Sequence, residues 1–178
     1  MIPPRRRWYR GVHYRSTLEA DWSATLRSLG IEHRYEPEAY QTPEGTYGPD
    51  FWLPGQHVWL EVKGPHGERI GKAESFANLL AVAHESDGRI DDYGQITYPV
   101  SPTHAVLVYG LPARDGCIEM RTPRHFGTRA DFGHCPRCDH WTILFDDVGQ
   151  CRVCLHSGDD LFLKQGIPFR RARDDGGG

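Results

Sequence analysis

An acidic residue and a Glu-x-Lys triplet are the residues whose types and spacing point most directly to chemistry. Asp50 follows Pro49, and after ten further residues come Glu61, Val62 and Lys63. Alternate side chains of a β-strand share a face, so we expect Glu61 and Lys63 to point the same way. We expect Asp50, at the start of a neighbouring strand, to converge with Glu61 on one hard cation such as Mg²⁺.

Such a cluster suits the hydrolysis of a phosphodiester. A carboxylate-bound Mg²⁺ (or Mn²⁺) acts as a Lewis acid and lowers the pKa of its water. Lys63 could position that water or stabilise charge in the transition state. Each residue also has a structural interpretation: Asp50 could cap a turn, and Glu61 with Lys63 could be an exposed pair.

Glu19 could add a third carboxylate to this cluster. It stands three residues after Ser16, in the arrangement of a helix capping box, so capping is the competing interpretation. Periodicity and turn residues predict the elements that would position these side chains. They are helices over 16–29 and 70–85, strands over 31–36, 50–53, 57–63 and 103–109, a weaker strand over 117–121, and a loop or hairpin over 86–102. This order predicts an α/β core with a mixed sheet flanked by helices.

The stretch 14–64 resembles the core of the PD-(D/E)XK nucleases, and is most similar to the bacteriophage endonuclease I group, which resolves DNA junctions. The matching segments are Tyr14-Arg15-Ser16-Thr17-Leu18-Glu19, Gly30-Ile31, Tyr35-Glu36, Tyr47-Gly48-Pro49-Asp50-Phe51-Trp52-Leu53-Pro54 and Glu61-Val62-Lys63-Gly64. The resemblance implies a restriction-endonuclease-like core and an active-site Mg²⁺. The residues it implies are the metal ligands Asp50, Glu61 and the Val62 backbone carbonyl, the catalytic Lys63 and an essential carboxylate at Glu19.

The chain also departs from that pattern. The acid that precedes the tyrosine in the phage group is replaced by Arg34, and Glu36 just beyond is expected to face the other way on a regular strand. No match continues past Gly64, and the phage group has no cysteine module. Transposon end-cleaving nucleases share a similar frame, so junction specificity is less well supported than nuclease chemistry.

Four cysteines form two closely spaced C-x-x-C pairs, Cys135 with Cys138 and Cys151 with Cys154, with twelve residues between the pairs. Four thiolates are the usual ligands of a tetrahedral structural Zn²⁺. The pattern therefore predicts a small zinc ribbon over 131–160 that binds one Zn²⁺. The remaining cysteine, Cys117, is expected to be an ordinary buried thiol.

Charge distribution adds candidates for DNA contact, although the net charge of −3 does not indicate a nucleic-acid-binding protein. The candidates are Arg5, Arg6, Arg7, Arg10 and Arg15 in a basic N-terminal arm over 1–15, and Arg137 and Arg152 in the ribbon. A basic and then disordered tail is predicted over 161–178, after a nuclease core over 16–130. A solvated tail, or a zinc staple without DNA contact, explains these residues about equally well.

The sequence thus predicts a metal-dependent endonuclease that acts on DNA, with branched DNA as the leading substrate and a homodimer as the working unit. Alternatives are a nuclease for ordinary duplex or DNA ends, of a restriction, repair or transposition type, and a non-catalytic DNA-binding module. The absence of a long apolar segment indicates no membrane partner and a cytoplasmic location, in a bacterial or phage-infected cell.

Overall fold

The computed structural model of the chain describes residues 5–64, 70–86, 89–90, 96–97, 104–109, 117–118, 130–145, 149–157, 163–164, 167 and 169–173. The helices are α1 (Thr17–Ser28) and α2 (Gly71–Ser86), and a 3-10 helix covers Pro54–Gln56. The strands are β1 (Arg7–Tyr9), β2 (Val12–Tyr14), β3 (Arg34–Tyr35), β4 (Tyr40–Thr42), β5 (Gly45–Tyr47), β6 (Phe51–Leu53), β7 (Val58–Lys63), β8 (Arg89–Ile90), β9 (Ile96–Thr97), β10 (His104–Tyr109), β11 (Cys117–Ile118), β12 (Ala130–His134), β13 (Trp141–Phe145) and β14 (Leu163–Lys164).

A four-stranded mixed sheet, in the order β10-β7-β6-β3, lies at the centre. β10 runs parallel to β7, and the other neighbours are antiparallel. Helix α2 lies between β7 and β10 in the chain, as a parallel connection requires. Among the described residues, β11, β12, β13 and β14 form a second four-stranded sheet, which is antiparallel, and β1–β2, β4–β5 and β8–β9 form antiparallel hairpins. The expected α/β class is therefore confirmed.

Helix α1 begins and ends where the sequence predicts, because both ends carry capping residues. Ser16 accepts a hydrogen bond from the Glu19 N–H at the N-cap. Gly30 has a φ of 70°, and the N–H of Ile31 donates back to the Leu26 carbonyl at 2.9 Å. This Schellman-type end uses Ile31, so the strand predicted over 31–36 is reduced to the two residues of β3.

Helix α1 is buried on nearly every side rather than along one apolar stripe. Trp22 and Leu26 are fully buried, but so are Ser23 and Thr25 on other faces. The reason is that the central sheet, strands β12 and β13, the N-terminal hairpin and the C-terminal segment all pack around it. A second apolar cluster, on the other face of the sheet, joins Trp59 and Tyr47 to Phe76 of α2.

Both chain ends differ from expectation within the described residues. The predicted N-terminal arm contains the hairpin β1–β2, which the apolar side of Tyr14 anchors in the core. The predicted basic tail contains Ile167 and Ala172, both buried, and Ala172 N–H donates to Asp21 of α1 at 2.7 Å. The last part of the predicted tail, over 174–178, lies outside the described residues.

The region after α2 agrees with expectation where it is described. β8 and β9 pair as a hairpin, one of the two alternatives for 86–102, and β11 occupies the start of the predicted strand over 117–121. The Cys117 side chain lies outside the described set. The boundary predicted between 130 and 131 falls inside β12, whose Ala130 and Phe132 pack in the same cluster as Trp22 and Leu60.

Candidate active site and metal centre

Asp50, Glu61 and Lys63 meet at one end of the β6–β7 hairpin. Phe51 pairs with Leu60, which places Asp50, the residue before β6, opposite Glu61. Both carboxyl groups are buried, at 8% exposure each. The Lys63 ammonium donates a hydrogen bond to Glu61 Oε1. The structure therefore brings these three predicted residues together, on the shared strand face that the sequence predicts.

Further hydrogen bonds fix the two carboxylates. The Tyr47 hydroxyl donates to Glu61 Oε2 at 2.7 Å, and the Val62 N–H donates to Asp50 Oδ2 at 2.7 Å. Burial, followed by the nearby charge of Glu61, raises the pKa of Tyr47, so the phenol stays a donor. Glu61 is thus held through one oxygen by Lys63 and through the other by Tyr47.

The Val62 backbone faces Asp50 and not the neighbouring strand β10. In an extended strand the N–H and C=O of one residue point to the same side, as the exchange of paired hydrogen bonds in antiparallel sheets requires. Because the Val62 N–H donates to Asp50, its carbonyl oxygen also lies on the Asp50 side. The predicted backbone ligand is therefore on the same edge of β7 as that carboxylate.

Glu19 both caps α1 and belongs electrostatically to the cluster. Its carboxylate accepts hydrogen bonds from the Ser16 hydroxyl at 2.7 Å, the Arg15 N–H at 3.1 Å and the Tyr35 hydroxyl at 2.5 Å. Its charge also helps to raise the pKa of Asp50. The capping and the cluster interpretations both hold for this side chain.

Glu36 is the residue that the sequence analysis placed wrongly. Its side chain was expected to face away from the cluster, yet its carboxylate is close enough to Glu19 and Glu61 to be affected by their charges. Its backbone N–H donates to the Asp50 carbonyl at 2.8 Å. Burial raises the pKa of Glu36, and the charges of Glu19 and Glu61 raise it further. The error lies in the strand period: Glu36 is two residues beyond Arg34, and residues two apart share a face. A φ of 40° at Glu36 also ends β3 there.

Arg15 lies at the edge of this acidic cluster. Its guanidinium Nε is 2.8 Å from Glu36 Oε1, and its side chain remains 71% exposed. The pair lowers the pKa of Glu36 against the effect of burial. Arg15, predicted to contact DNA, is therefore paired within the protein but open to solvent beside the candidate site.

Negative charge is in excess in the cluster. Four carboxylates, those of Glu19, Glu36, Asp50 and Glu61, face the cations of Lys63 and Arg15. Burial, and then Glu61 and Glu19, raise the pKa of Asp50 well above its ordinary value. No three of these acids bring a ligand oxygen each within 4.8 Å of one another, and in the described part of the chain only a cysteine group does so.

That cysteine group is Cys135, Cys138, Cys151 and Cys154. The Sγ atoms of Cys135 and Cys154 are 3.8 Å apart, and those of Cys138 and Cys151 are 3.7 Å apart. Two sulfur ligands of tetrahedral zinc, each about 2.3 Å from the metal, lie about 3.8 Å apart. The four cysteines could therefore hold a metal ion such as zinc, as their spacing predicts.

The two cysteine pairs form turns with the same backbone hydrogen bonds. Asp139 N–H donates to the Cys135 carbonyl and Leu155 N–H to the Cys151 carbonyl, both at 2.9 Å. Asp139 and Leu155 both have a φ of 59°. The segments Cys135-Pro136-Arg137-Cys138-Asp139-His140 and Cys151-Arg152-Val153-Cys154-Leu155-His156 are aligned by these bonds. Their shared C-x-x-C-x-H pattern was the sequence signal for this repeat, and it was missed.

Arg152 does not fit the predicted contact with DNA. It is 8% exposed, and its Nε donates to the Gln56 carbonyl at 2.9 Å. Its guanidinium also lies 5.7 Å from the centre of the Phe145 ring, and burial lowers its pKa to about 10. A guanidinium that is buried and bonded in this way links the ribbon to the turn before β7 and does not face solvent. Arg137 is exposed, with Nη1 3.3 Å from His156 Nδ1.

Gln56 joins the cysteine ribbon to the turn of the hairpin that presents Asp50 and Glu61. It is buried in the turn between β6 and β7, the strands that present Asp50 and Glu61. Its side-chain nitrogen donates to the Trp141 carbonyl at 3.2 Å, and its side-chain oxygen accepts from the Ile143 N–H at 2.8 Å. The turn of the β6–β7 hairpin is thereby hydrogen-bonded directly to β13 of the ribbon.

The remaining predicted DNA contacts lie in the N-terminal hairpin. Arg5, Arg6 and Arg10 are exposed, and Arg7 is half-buried beneath them.

Neither described helix is long and apolar enough to span a bilayer. Comparison of the chain with protein families, with curated proteins and with solved structures found no match. The features that bear on function are therefore the buried acid–lysine cluster and the four-cysteine site.

Proposed function

We propose that this chain is a Mg²⁺-dependent DNA endonuclease of the PD-(D/E)XK type, with Asp50, Glu61 and Lys63 at its centre. The observation that carries the proposal is the convergence of these buried groups at one end of the β6–β7 hairpin. Buried carboxylates that repel one another cost stability, and such groups concentrate at functional sites. The resemblance over 14–64 supplies the reaction class.

The residues of the cluster fit a divalent cation in charge and in donor type. Burial, and then repulsion by Glu61 and Glu19, raise the pKa of Asp50, and a cation would offset that repulsion. Asp50, Glu61 and the Val62 carbonyl would hold it with hard oxygen donors, which suit Mg²⁺ and Mn²⁺. When bound, such an ion supplies Lewis acidity and a water of lowered pKa. Glu19 and Glu36 add negative charge around these ligands.

Lys63 would serve the reaction as a mobile ammonium beside the ligands. In the free protein it donates to Glu61 and keeps 20% of its side chain exposed. From that position it can hold an attacking water or stabilise charge on a phosphoryl oxygen. Tyr47 keeps Glu61 oriented through its other oxygen, so Lys63 can turn to the substrate without releasing that carboxylate.

Branched DNA is the substrate that we propose, and a homodimer is the working unit. The support is the likeness to junction-resolving nucleases, together with a single acid–lysine set per chain. Paired incisions across a junction need two sites, and a two-fold dimer is the simplest way to present them. The runner-up is a nuclease for linear duplex or DNA ends; a DNA-binding module without catalysis would have no need of this acid–lysine set.

A panel of DNA substrates tests this function. The purified protein is incubated with Mg²⁺ and with linear, nicked, flapped and four-way DNA of matched sequence, and its mass is measured by sedimentation. We expect cleavage of the four-way junction ahead of the linear duplex, by a dimer. Equal cutting of linear duplex by a monomer would favour the general nuclease, and no cutting of any substrate would reject the enzymatic proposal.

A further inference from the structure

The N-terminal hairpin presents a large aromatic side chain to solvent. Trp8, in β1, is 62% exposed. Its cross-strand partner is His13 of β2, and the two rings lie 5.0 Å apart with a 37° tilt. Both residues are on the outer face of the hairpin, because Arg7 and Tyr9 on either side of Trp8 are half-buried. The rings of Trp8 and His13 therefore form an exposed pair on the outer face of the hairpin.

The hairpin that carries this pair is fixed to the rest of the protein. Tyr14 at its end is 3% exposed and donates from its hydroxyl to Ser23 of α1 at 2.8 Å. The Thr17 hydroxyl of the same helix donates to the Arg5 carbonyl at 3.3 Å. The pair of rings is therefore ordered in advance, which reduces the entropy lost when a ligand binds.

The hairpin turn is made by a charged residue where a polar one would be more stable. Arg10 and Gly11 have φ values of 49° and 77°, the signs of a type I′ turn. Asn is favoured at the first of these positions, since left-handed backbone is strained for most side chains. Arg10 thus places a positive charge two residues beyond Trp8, and exposed Arg6 places another two residues before it.

One face of α1 brings the basic C-terminal segment to the basic N-terminus. Thr17, Asp21 and Thr25 are spaced four residues apart and so lie on the same face. Thr17 bonds to Arg5, while the Asp21 carboxylate accepts the N–H of Ala172 at 2.7 Å. The Thr25 hydroxyl accepts the N–H of Arg170 at 3.1 Å. The two chain ends therefore run over one helix.

The arginines of both ends consequently form one basic surface. Asp21 is buried, and Arg7 and Arg171 are both close enough to interact with its charge. The exposed arginines of the two segments are Arg5, Arg6, Arg10, Arg170, Arg171 and Arg173. This collection of charge suits the phosphates of a nucleic acid. Phosphates alone, however, do not account for an exposed indole that stands between Arg6 and Arg10 in the chain.

We propose that Trp8, supported by His13, stacks on an unpaired base of DNA while the arginines around it bind the adjacent phosphates. The inference rests on the proposed function for the choice of DNA. Aromatic side chains beside basic residues hold unpaired bases, because every base offers a ring face for stacking. A fully paired duplex hides those faces, so this surface recognises DNA where bases are unstacked, as at branch points, flaps and ends.

Stacking and phosphate contact can be measured separately by fluorescence anisotropy. The labelled ligands are a duplex, the same duplex with a short single-stranded extension, and a third in which abasic residues keep the phosphates of the extension but lack its bases. No divalent cation and no chelator is added, so that DNA is not cut and a bound zinc is kept. We expect the wild type to prefer the base-bearing extension over the abasic one by about tenfold.

Substitutions assign that preference to the indole. Trp8→Ala should remove it and leave affinity for the abasic extension unchanged, while Trp8→Phe should keep most of it. Val82→Ala is the matched control, because Val82 of α2 is 61% exposed and apolar. It should change neither affinity. A wild type without preference for bases, or a Trp8→Ala protein that keeps the preference, would overturn the inference.

This test is independent of the catalytic proposal. A protein that cuts no DNA with Mg²⁺ but shows the Trp8-dependent preference would retain the stacking surface and lose the nuclease assignment. A protein that cuts DNA equally well with and without unpaired bases, and whose binding ignores Trp8, would retain the nuclease and lose the surface.

Discussion

At the residue scale, one side chain serves both a helix end and a charged cluster. Glu19 accepts three hydrogen bonds, from Ser16, Arg15 and Tyr35, and its charge also acts on Asp50. A carboxylate has about four acceptor positions, so most of the capacity of Glu19 is already used. We therefore expect its contribution to a cation to come mainly from its charge.

Replacement of Glu19 can separate these two contributions. In Glu19→Gln the amide oxygen can accept from Arg15 and Tyr35, and the amide nitrogen can donate to the Ser16 hydroxyl, so folding should be unchanged. Loss of the charge should weaken Mg²⁺ binding about tenfold. Glu19→Ala should in addition lower the free energy of unfolding by about 1 kcal/mol. Calorimetry and chemical denaturation measure the two effects; unchanged Mg²⁺ affinity in Glu19→Gln would leave Glu19 a helix cap only.

A half-buried histidine, His33, gives a second prediction at this scale. The Tyr14 hydroxyl donates to Ser23, and His33 lies 2.8 Å from Ser23 through Nε2 and 3.0 Å from the Ile31 carbonyl through Nδ1. A neutral His33 that accepts from Ser23 and donates to the Ile31 carbonyl gives every group in this series of hydrogen bonds a partner. A protonated ring would leave two donors facing the Ser23 oxygen, and burial lowers the pKa of His33 accordingly.

The sign of the pH dependence follows from that lowered pKa. His33 binds a proton near pH 6.5 in the unfolded chain, and only at lower pH in the folded chain. The stability that the neutral His33 contributes is therefore present at neutral pH and is lost as the pH falls through this range. In chemical denaturation, His33→Gln should reduce the change of the unfolding free energy with pH between neutral pH and about pH 5. His13→Gln, on the exposed face of the hairpin, should keep it. Equal slopes for His33→Gln and the wild type would contradict the assignment.

The positions of single side chains could be predicted from the sequence only where local periodicity determines them. Asp50, Glu61 and Lys63 follow from strand alternation, and the structure places them together. Glu36 was misplaced by a wrong count along the strand, and Arg152 was misread because no local pattern shows that it reaches the Gln56 carbonyl. The burial of an arginine is decided by contacts between residues far apart in the chain.

At the element scale, the β6–β7 hairpin presents the acids at one end and is hydrogen-bonded to the ribbon at its turn. Its turn contains Gln56, whose amide satisfies the Trp141 carbonyl and the Ile143 N–H. The elements themselves were predictable, since capping residues and turn residues mark their ends. The partner of the turn was not, because a glutamine in a surface-like Pro-Gly turn carries no sign of burial.

Removal of the Gln56 side chain should destabilise the protein measurably. Gln56→Ala leaves the buried Ile143 N–H without its acceptor, which should cost about 1–3 kcal/mol. Gln41→Ala is the control, since Gln41 is exposed and bonds only to Thr46 across the β4–β5 hairpin; it should cost less than about 0.5 kcal/mol. Denaturant unfolding measures both. Equal stabilities for the two variants would mean that the contact between turn and ribbon contributes nothing.

At the scale of the whole molecule, residues distant in sequence build one core around α1. Trp22 of the helix stacks on Phe132 of β12 at 6.2 Å, and Thr25 bonds to Arg170 near the end of the chain. The sequence predicted the cysteine ribbon and the basic tail as separate units because each has its own local signature. Their packing against α1 depends on three-dimensional contacts that no single-chain pattern reports.

Loss of zinc should therefore unfold more than the ribbon. Cys138→Ser should lose the metal, which elemental analysis of protein purified without chelator reports as one Zn²⁺ per wild-type chain. Because β12 shares the core with α1, we expect a single melting transition at lower temperature, with a loss of about 5 kcal/mol or more. Cys117→Ser should keep its zinc, since the two C-x-x-C pairs already supply the four ligands of a tetrahedral site. A zinc-free wild type of unchanged stability would contradict the ribbon assignment.

The central claim is that the buried acid–lysine cluster cuts DNA, and its most direct test is Mg²⁺-dependent cleavage by charge-neutral variants. Glu61→Gln keeps an acceptor for the Tyr47 hydroxyl but removes the charge, and it should lower the cleavage rate at least about a thousandfold while the protein stays folded. Glu44→Gln, which neutralises an exposed acid outside the cluster, should cut as the wild type does. Full cleavage by a folded Glu61→Gln protein would contradict the claim.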